Sequence, residues 1–264
     1  MAGPTTVWLL AGVDPGGGAG LWRDQATARA CAPELWHAPI VTAWTRQGAG
    51  SLATAQPRAA EHVLADLAAQ PAPAAIKVGL LPGGLPAKLL PALAAAGAPL
   101  VLDPVLLASD GGDLGGRAEH LRDVLRDMCS ETHRWLITPN RAEAAALAGV
   151  AADDPDLLAR LAARLAGPAL LLKDGHGDEP GRVRDRLWIA GVVYTLARAR
   201  QPGPDPRGTG CALATAIACG LARGRTLRQA VAAGVSWLDA VRGWTHPGAD
   251  GRPHLPDAGP PLPA

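Results

Sequence analysis

The sequence contains no phenylalanine and only one tyrosine, so the core of this protein must be built almost wholly from aliphatic side chains. Eight tryptophans are the remaining aromatic residues. Hydrophobic residues nevertheless make up 48% of the 264 residues, which is enough for a sizeable core in one large or two small domains. This content also argues against disorder, although glycine (32 residues) and proline (25 residues) are abundant.

Cysteine is sparse and charge is balanced, and both facts exclude classes of protein. The four cysteines lie far apart and form no CxxC pair, which argues against a disulfide scaffold and indicates a reduced, cytoplasmic protein. The net charge of +1 gives no electrostatic reason to expect a nucleic acid or a membrane surface as partner. The apolar run near the N-terminus ends at Asp14 and is too short for a signal peptide or a membrane span.

Short apolar runs alternate with longer segments rich in alanine and leucine. The short runs predict strands buried on both faces, at residues 7–11, 40–44, 75–80, 100–103, 135–138 and 169–173. The longer segments predict helices, at residues 19–30, 58–69, 87–95, 119–128, 155–165, 210–223 and 227–241. Two strand-like runs within 185–199 predict a hairpin. The order predicts an α/β fold with a mostly parallel sheet covered by helices, followed from residue 245 by a surface or disordered tail rich in proline and glycine.

Residues that could serve a ligand site follow the predicted strands in turn, at Asp14, Gln47, Gly79, Asp103, Asn140 and Lys173. Any one of them alone is typical of an ordinary turn or helix cap. Because ligands of open α/β sheets bind at the carboxyl ends of the strands, the set together predicts a binding site at that edge.

The stretch "PDPRGTGCALATAIACG" places a glycine-rich turn before an apolar helix. A helix N-terminus favours anions, and Gly208 and Gly210 would let the backbone approach a phosphate closely. Cys211 would lie in the first helical turn, where the same field lowers the pKa of a thiol. The alternative is a helix cap followed by a small buried cysteine.

Three further motifs admit both a structural and a chemical interpretation. The turn "AGVDPGGGAG" fits neither the dinucleotide fingerprint, whose third glycine position holds Leu21, nor the P-loop, which needs a lysine after the glycines. In "TPNRAEA", Asn140 and Glu143 have the spacing of a capping box but could also hold a hydrated Mg²⁺. Lys173 ends an apolar strand, where a buried ammonium needs a partner such as a phosphate.

The stretches "AGVDPGGGAG", "VTAWTRQ", "IKVGLL", "VLDPVLLASDGG", "ITPNRAEAAALAG", "LLLKDGHG" and "RGTGCALATAIACGLARG" occur in an order that resembles the ribokinase-like superfamily. They are most similar to the hydroxymethylpyrimidine/phosphomethylpyrimidine kinases of thiamine biosynthesis. The resemblance covers residues 9–241. Cys211 restricts the resemblance to a few members of the superfamily. Most members carry aspartate at this position, whereas the pyrimidine kinases and some pyridoxal kinases carry cysteine.

The resemblance implies a three-layer α/β/α sandwich at residues 1–244 that uses ATP and Mg²⁺, with residues 245–264 as a tail. It assigns the catalytic anion hole to Gly208, Thr209, Gly210 and Cys211, with Cys211 in the general-base position. It assigns the nucleotide to Lys173, Asn140, Asp103 and Arg207, and the metal to Glu143 with Asn140. A homodimer is the expected assembly.

The same resemblance places a small aminopyrimidine in the first half of the sheet. Its ring would rest against Ala11, Gly12, Val13, Leu80 and Val105, with Asp24 lining the same site. The amide of Gln47 can both donate and accept a hydrogen bond, which suits the amino group and adjacent ring nitrogen of an aminopyrimidine.

Several positions depart from the family pattern. Gly16 and Trp22 stand where serine and glutamine are usual, and Arg207 stands where histidine or glycine often precedes the anion hole. Ser109 and Asp110 replace a lysine and a hydroxyl residue, which bears on phosphorylation of the monophosphate. Two alternatives therefore stay open: a pyridoxal kinase of the cysteine-bearing type, and a catalytically weak pyrimidine-binding regulatory protein.

Overall fold

The computed structural model describes residues 5–48, 51–106, 112, 114–129, 134–175, 180–203, 205–248 and 251–263. Within them, a nine-stranded sheet carries helices on both faces. The strands are β1 (Thr6–Val13), β2 (Trp36–Gly48), β3 (Ser51–Pro57), β4 (Pro73–Val78), β5 (Leu100–Leu102), β6 (Trp135–Ile137), β7 (Ala169–Leu172), β8 (Arg182–Ile189) and β9 (Val192–Ala199). The helices are α1 (Gly20–Cys31), α2 (Ala60–Ala68), α3 (Leu85–Ala95), α4 (Ala118–Cys129), α5 (Arg141–Ala148), α6 (Leu157–Leu165), α7 (Thr209–Ala222) and α8 (Leu227–Arg242). Two short strands, β10 (His246–Pro247) and β11 (Pro253–His254), pair antiparallel in a separate sheet.

The strand order across the main sheet is β3-β2-β1-β4-β5-β6-β7-β8-β9. The six central strands, β2, β1, β4, β5, β6 and β7, run parallel to one another. At the edges, β3 pairs antiparallel with β2, β8 pairs antiparallel with β7, and β9 pairs antiparallel with β8. The chain leaves β1 toward β2 on one side and later continues through β4 on the other. Such a reversal of strand order opens a crevice at the carboxyl ends of the strands, and it places the expected ligand site beside β1 and β4.

Alternating side chains of the central strands divide the core into two layers. In β1, Trp8 and Leu10 pack with α2 to α6, whereas Val7, Leu9 and Ala11 pack with α1, α7 and α8. This period of two is what a strand buried on both faces requires. The predicted three-layer α/β/α architecture is therefore confirmed. In the part of the chain that is described, no helix combines the length and the apolar character needed to cross a membrane.

The hairpin of β2 and β3 was not predicted from the sequence, which indicated only a short strand at residues 40–44. In the structure β2 runs on to Gly48 and returns as β3 along the sheet edge. Ala53 of β3 is buried while Thr54 and Gln56 are exposed, so the strand alternates as an edge strand should. Its inward residues include small alanines, and the apolar contrast is too weak to indicate a strand in the sequence.

The expectation of a disordered or merely superficial tail is wrong for residues 251–263. Leu255 and Leu262 are 1% and 5% exposed and belong to the core layer of α1, α7 and α8. The indole N–H of Trp237 donates to the carbonyl of Pro260 at 2.8 Å, and the N–H of Leu262 donates to the carbonyl of Cys31 at 3.0 Å. A proline-rich segment with little secondary structure of its own is thus held by tertiary contacts that composition does not reveal.

Candidate active site

A cavity of about 790 Å³ opens at the carboxyl ends of the central strands, beside the reversal of strand order. The residues predicted from the sequence that line it are Ala11, Gly12, Asp14, Gly79, Leu80, Asp103, Val105, Asn140, Glu143, Lys173, Arg207, Gly208, Thr209, Gly210 and Cys211. The structure thus brings together residues from opposite ends of the chain. The volume of the cavity lies in the range of pockets that hold small ligands and cofactors.

The N-terminus of α7 forms the middle of the cavity wall. Gly208 precedes the helix with φ +77°, and a Cβ there would lie 2.2 Å from the carbonyl oxygen of Gly18, so both conformation and contact require glycine. A Cβ at Gly210 would lie 3.2 Å from both Asp103 Oδ2 and Lys173 Nζ. The first N–H groups of a helix have no partner within it. Here they come close to a fixed lysine, which makes the helix start a strong anion site.

Lys173 and Asp103 form an ion pair at the ends of β7 and β5. Lys173 Nζ lies 2.6 Å from Asp103 Oδ1, and the hydroxyl of Thr138 donates to the same oxygen at 3.2 Å. Burial lowers the pKa of Lys173, but the carboxylates of Asp103 and Glu143 outweigh it and raise the pKa to about 12. The ammonium group therefore stays charged at neutral pH and is held in place beside α7.

Asn140 and Glu143 form the capping box at the start of α5. The N–H of Glu143 donates to Asn140 Oδ1 at 2.9 Å, and the N–H of Asn140 donates to Glu143 Oε2 at 2.8 Å. The structural interpretation of this motif is thus confirmed, while its second role as a metal site stays a prediction. Burial, opposed by Lys173 and assisted by Asp103, raises the pKa of Glu143 to about 7.

Mg²⁺ usually keeps several waters and takes only one or two protein carboxylates, with substrate phosphates supplying other ligands. Among the described residues, no group of three or more His, Cys, Asp or Glu side chains has a metal-binding arrangement. The pKa of Glu143 is raised mainly because the carboxyl group is buried, and a cation bound beside it would stabilise the charged form. The residues present therefore fit a cation held mainly by phosphates and water.

The thiol of Cys211 does not have the lowered pKa expected from its position in the first turn of α7. Burial raises it to about 11; Lys77 opposes the shift, and the carboxylates of Asp24 and Asp103 add to it. The N–H of Gly20 donates to the sulfur but is too weak to reverse the balance. The expectation was wrong because burial and nearby carboxylates exceed the field of the helix end. Cys211 is a neutral thiol at physiological pH.

Lys77 and Asp24 form a buried ion pair beneath the site, and the sequence did not indicate that these two residues are partners. Lys77 Nζ lies 2.5 Å from Asp24 Oδ2, both side chains are fully buried, and the hydroxyl of Thr215 donates to Asp24 Oδ1 at 2.9 Å. Lys77 lines the cavity, whereas Asp24, expected at the substrate, lies behind it. The signal was present in "AAIKVGLL", where a lysine interrupts a buried strand just as Lys173 does in β7.

One arm of the cavity is apolar and lies beside β1 and β4. Leu80, with Ala43, Ala53 and Leu114, forms a small cluster of buried residues that Val105 packs against. A Cβ at Gly12 would lie 2.9 Å from Leu80, so glycine keeps this wall thin.

Val13 was predicted for this arm but does not line it. Val13 packs toward the core layer of α1, α7 and α8 and is absent from the cavity wall. Gln47 lies on β2, but the placement of its side chain is outside the described residues, as are Ser109 and Asp110.

Arg207 joins the two glycine-rich loops of the site. Its guanidinium lies 3.0 Å from Asp14 Oδ2, and both side chains are buried. The carboxylate of Asp14 also accepts the N–H groups of Gly16 and Ala19, each at 3.0 Å. The loop after β1 is therefore tied to the loop before α7, and Arg207, predicted to bind nucleotide, also has this structural role.

The opposite arm of the cavity ends in a charged network that sequence analysis missed. Asp185 Oδ2 lies 2.7 Å from Arg198, whose Nε lies 3.0 Å from Asp239, and Arg242 pairs with Asp205. These residues come from β8, β9, α8 and the loop before α7, so no local motif signals their proximity. They make this arm polar, in contrast to the apolar arm beside β1.

Comparison with known proteins gives a consistent result. A family model described as phosphomethylpyrimidine kinase matches residues 14–251. A hydroxymethylpyrimidine/phosphomethylpyrimidine kinase of Streptomyces coelicolor is 34% identical over 248 residues, covering 89% of this chain and 87% of the relative. One of Rhizobium meliloti is 31% identical over 242 residues and covers 88% of each.

Two solved structures show the same fold. A Staphylococcus aureus pyridoxal kinase in complex with AMP-PCP and pyridoxal has a TM-score of 0.83 at 19% identity, covering 98% of this chain and 95% of the other. A phosphomethylpyrimidine kinase from Clostridium difficile 630 has a TM-score of 0.69 at 23% identity, covering 89% of this chain and 98% of the other.

Proposed function

The chain belongs to the phosphomethylpyrimidine kinase family, and on that premise we propose that it transfers the γ-phosphoryl group of ATP to 4-amino-5-hydroxymethyl-2-methylpyrimidine and then to the monophosphate, in thiamine biosynthesis. One observation carries the proposal. The N-terminus of α7 lies against the Asp103–Lys173 ion pair, between an apolar and a polar arm of a single cavity. A kinase needs this layout, with acceptor and donor on either side of one anion site.

The N–H groups at Gly208–Cys211 and the ammonium of Lys173 act on the phosphoryl group in transfer. The hydroxyl oxygen of the acceptor attacks the γ-phosphorus, the bond to the bridging oxygen breaks, and ADP leaves. The hydroxyl proton passes to water or to an oxygen of the transferred phosphoryl group. Phosphoryl transfer demands positioning and charge stabilisation rather than covalent chemistry from the protein. Donors fixed in place beforehand supply that stabilisation without reorganising during the reaction.

The nucleotide extends toward Gly175 and Arg198, because this arm is polar and follows directly from Lys173. Glu143 and Asn140 would help to hold Mg²⁺ there, and the ion would neutralise charge on the phosphates when bound. Glu143 lies within reach of the charge of both Lys173 and Asp103. Its carboxylate is therefore suited to a cation that arrives with the nucleotide.

The acceptor lies in the apolar arm, where Ala11, Gly12, Leu80 and Val105 would pack against a flat ring. Gln47 would read the amino group and ring nitrogen of the pyrimidine. With a pKa of about 11, Cys211 is almost entirely the neutral thiol near pH 7, so it orients the acceptor hydroxyl by hydrogen bonding and supplies very little thiolate to act as a base. The expected homodimer and cytoplasmic location stay predictions.

A panel of acceptors tests the proposal. Purified protein with Mg-ATP is offered the hydroxymethylpyrimidine, its monophosphate and pyridoxal in parallel, and products are identified by mass. We expect both pyrimidines to be phosphorylated faster than pyridoxal, with kcat for the pyrimidine greatly reduced in Lys173→Met. Preference for pyridoxal would indicate the alternative kinase, and pyrimidine binding without turnover would indicate a regulatory protein.

A further inference from the structure

The C-terminal strap, defined here as residues 251–263, lies against both glycine-rich loops of the candidate active site. One of its contacts is made by His254, which is 4% exposed. A Cβ built at Gly18 would lie 2.7 Å from Cε1 and Nε2 of the His254 ring, and one at Gly248 would lie 2.2 Å from Nε2. The imidazole is thus packed directly against backbone on two sides, which leaves the loop after β1 no room to shift toward it.

The strap also pairs with the second loop through its backbone. The N–H of Arg207 donates to the carbonyl of Pro253 at 2.9 Å, and Arg207 and His254 form a parallel bridge. Arg207 is followed at once by Gly208, whose backbone lies against the carbonyl of Gly18. The ring of His254 and the turn before α7 therefore both contact Gly18 in the loop after β1.

Beyond His254 the strap is anchored at successive points. Arg23, 2% exposed, donates to the carbonyl of Pro256 at 2.8 Å. Trp237 donates to Pro260 at 2.8 Å, and Leu262 is buried in the layer of α1, α7 and α8. These contacts fix the strap to the helices that carry the site, so its first residues act as a rigid support.

We propose that His254 is a positioning residue for phosphoryl transfer. It does not line the cavity, but it holds the loop after β1 against the turn before α7, and so sets the position of the N–H groups at Gly208–Cys211. This inference rests on the proposed kinase function for its kinetic consequences. Its structural part, the ordering of the α7 N-terminus by the strap, is independent of that function.

The primary test compares His254→Ala with Leu262→Ala. Both remove buried side chains from the strap, and both should lower the melting temperature. Because small misplacements of catalytic groups can reduce rates by about 10²-fold, we expect His254→Ala to lower kcat for the pyrimidine by about tenfold or more, with little change in the KM for that acceptor. Leu262→Ala, at the far end, should keep kcat within about twofold of the wild type.

Hydrogen exchange measured by mass spectrometry gives a second readout that needs no activity. Peptides covering residues 206–213 should exchange faster in His254→Ala than in Leu262→Ala. If the wild-type protein lacks kinase activity, the proposed function fails, but exchange still decides the role of the strap. Equal exchange in the two variants overturns the proposal. If the wild-type protein is active, equal kcat values for His254→Ala and Leu262→Ala also overturn it.

A second-site variant adds a specific coupling test. Gly18→Ala places a methyl group against the His254 ring and should lower kcat by itself. In Gly18→Ala/His254→Ala the ring is absent and the methyl group has room. The combined loss in kcat should therefore be smaller than the product of the two single losses. Independent effects in the two sites would contradict direct contact between the ring and the loop as the origin of the rate effect.

Discussion

Gly210→Ala should separate the stability of α7 from its role as an anion site. Gly210 is the second residue of α7 and lies in its first turn without a positive φ, so alanine can adopt the same backbone conformation. Alanine is preferred to glycine by about 0.5–1 kcal/mol in a helix interior, and the gain in the first turn should not exceed that. The new methyl group would lie 3.2 Å from Asp103 Oδ2 and from Lys173 Nζ, slightly inside ordinary contact. Both neighbours can move a few tenths of an ångström, so we expect the variant to fold and to melt at or near the wild-type temperature.

Activity should fall although stability does not. The methyl group occupies space where a phosphoryl oxygen must approach the helix N–H groups, and it displaces the ammonium of Lys173. Loss of a single oxyanion donor typically reduces kcat by about 10²–10³-fold, or about 2.7–4 kcal/mol. We expect a loss of this order, and a nearly complete loss in Gly210→Val.

The assay is kcat with the hydroxymethylpyrimidine as acceptor, accompanied by a thermal melt of each variant. Gly84→Ala is the matched control, because Gly84 stands at the start of α3, outside the cavity, and a Cβ there meets nothing within 4 Å. A well-folded Gly210→Ala protein with kcat within about threefold of the wild type would refute the anion-site argument, since the expected loss is far larger.

Three other predictions concern single side chains. Gln47→Leu should weaken pyrimidine binding by about 1–3 kcal/mol and leave ATP binding unchanged, as measured by calorimetry, because it leaves polar groups of the ring unpaired; an equal loss of ATP affinity would misplace the acceptor arm. Cys211→Ser should keep kcat within about tenfold of the wild type, a loss at or below the low end of general-base effects. If the Cys211 thiolate were the general base, its pKa of about 11 would make the wild-type rate rise tenfold per pH unit between about pH 7 and 9, and we expect no such rise. Glu143→Gln preserves a capping box but removes the charge. The pKa of Glu143 is about 7 in the folded protein and 4.5 ordinarily, so the unliganded wild type should lose stability as the pH rises from 4.5 to about 7. Thermal melts of Glu143→Gln should lack that loss.

Much of the scaffold could be predicted because strands buried on both faces leave a strong local signal. Continuous apolar runs identified β1, β4, β5, β6 and β7, and the residue after each run pointed to the carboxyl edge of the sheet. That edge is where Asp103 and Lys173 meet, although they come from different strands. Parallel topology alone brings such ends together, so the location of the site needed no knowledge of side-chain contacts.

Properties that depend on partners could not be obtained in the same way. The helix start at Cys211 was visible in the sequence, but its pKa is set by burial and by Asp24 and Asp103, which approach only in the folded chain. The prediction for the C-terminal strap was wrong for the same reason. Its composition indicated solvent exposure, whereas His254 is packed against Gly18. Local pattern reports local conformation; it does not report which distant group supplies a contact or a charge.

The most direct test of the account follows the transferred group itself. The protein is incubated with Mg²⁺, the hydroxymethylpyrimidine and ATP labelled with ¹⁸O in its terminal phosphoryl group, and the pyrimidine product is analysed by mass spectrometry. The account predicts a pyrimidine monophosphate that carries the label, formed by the wild type and nearly absent with Gly210→Val. Label found only in inorganic phosphate, or an unmodified pyrimidine beside a folded and nucleotide-bound protein, would contradict it.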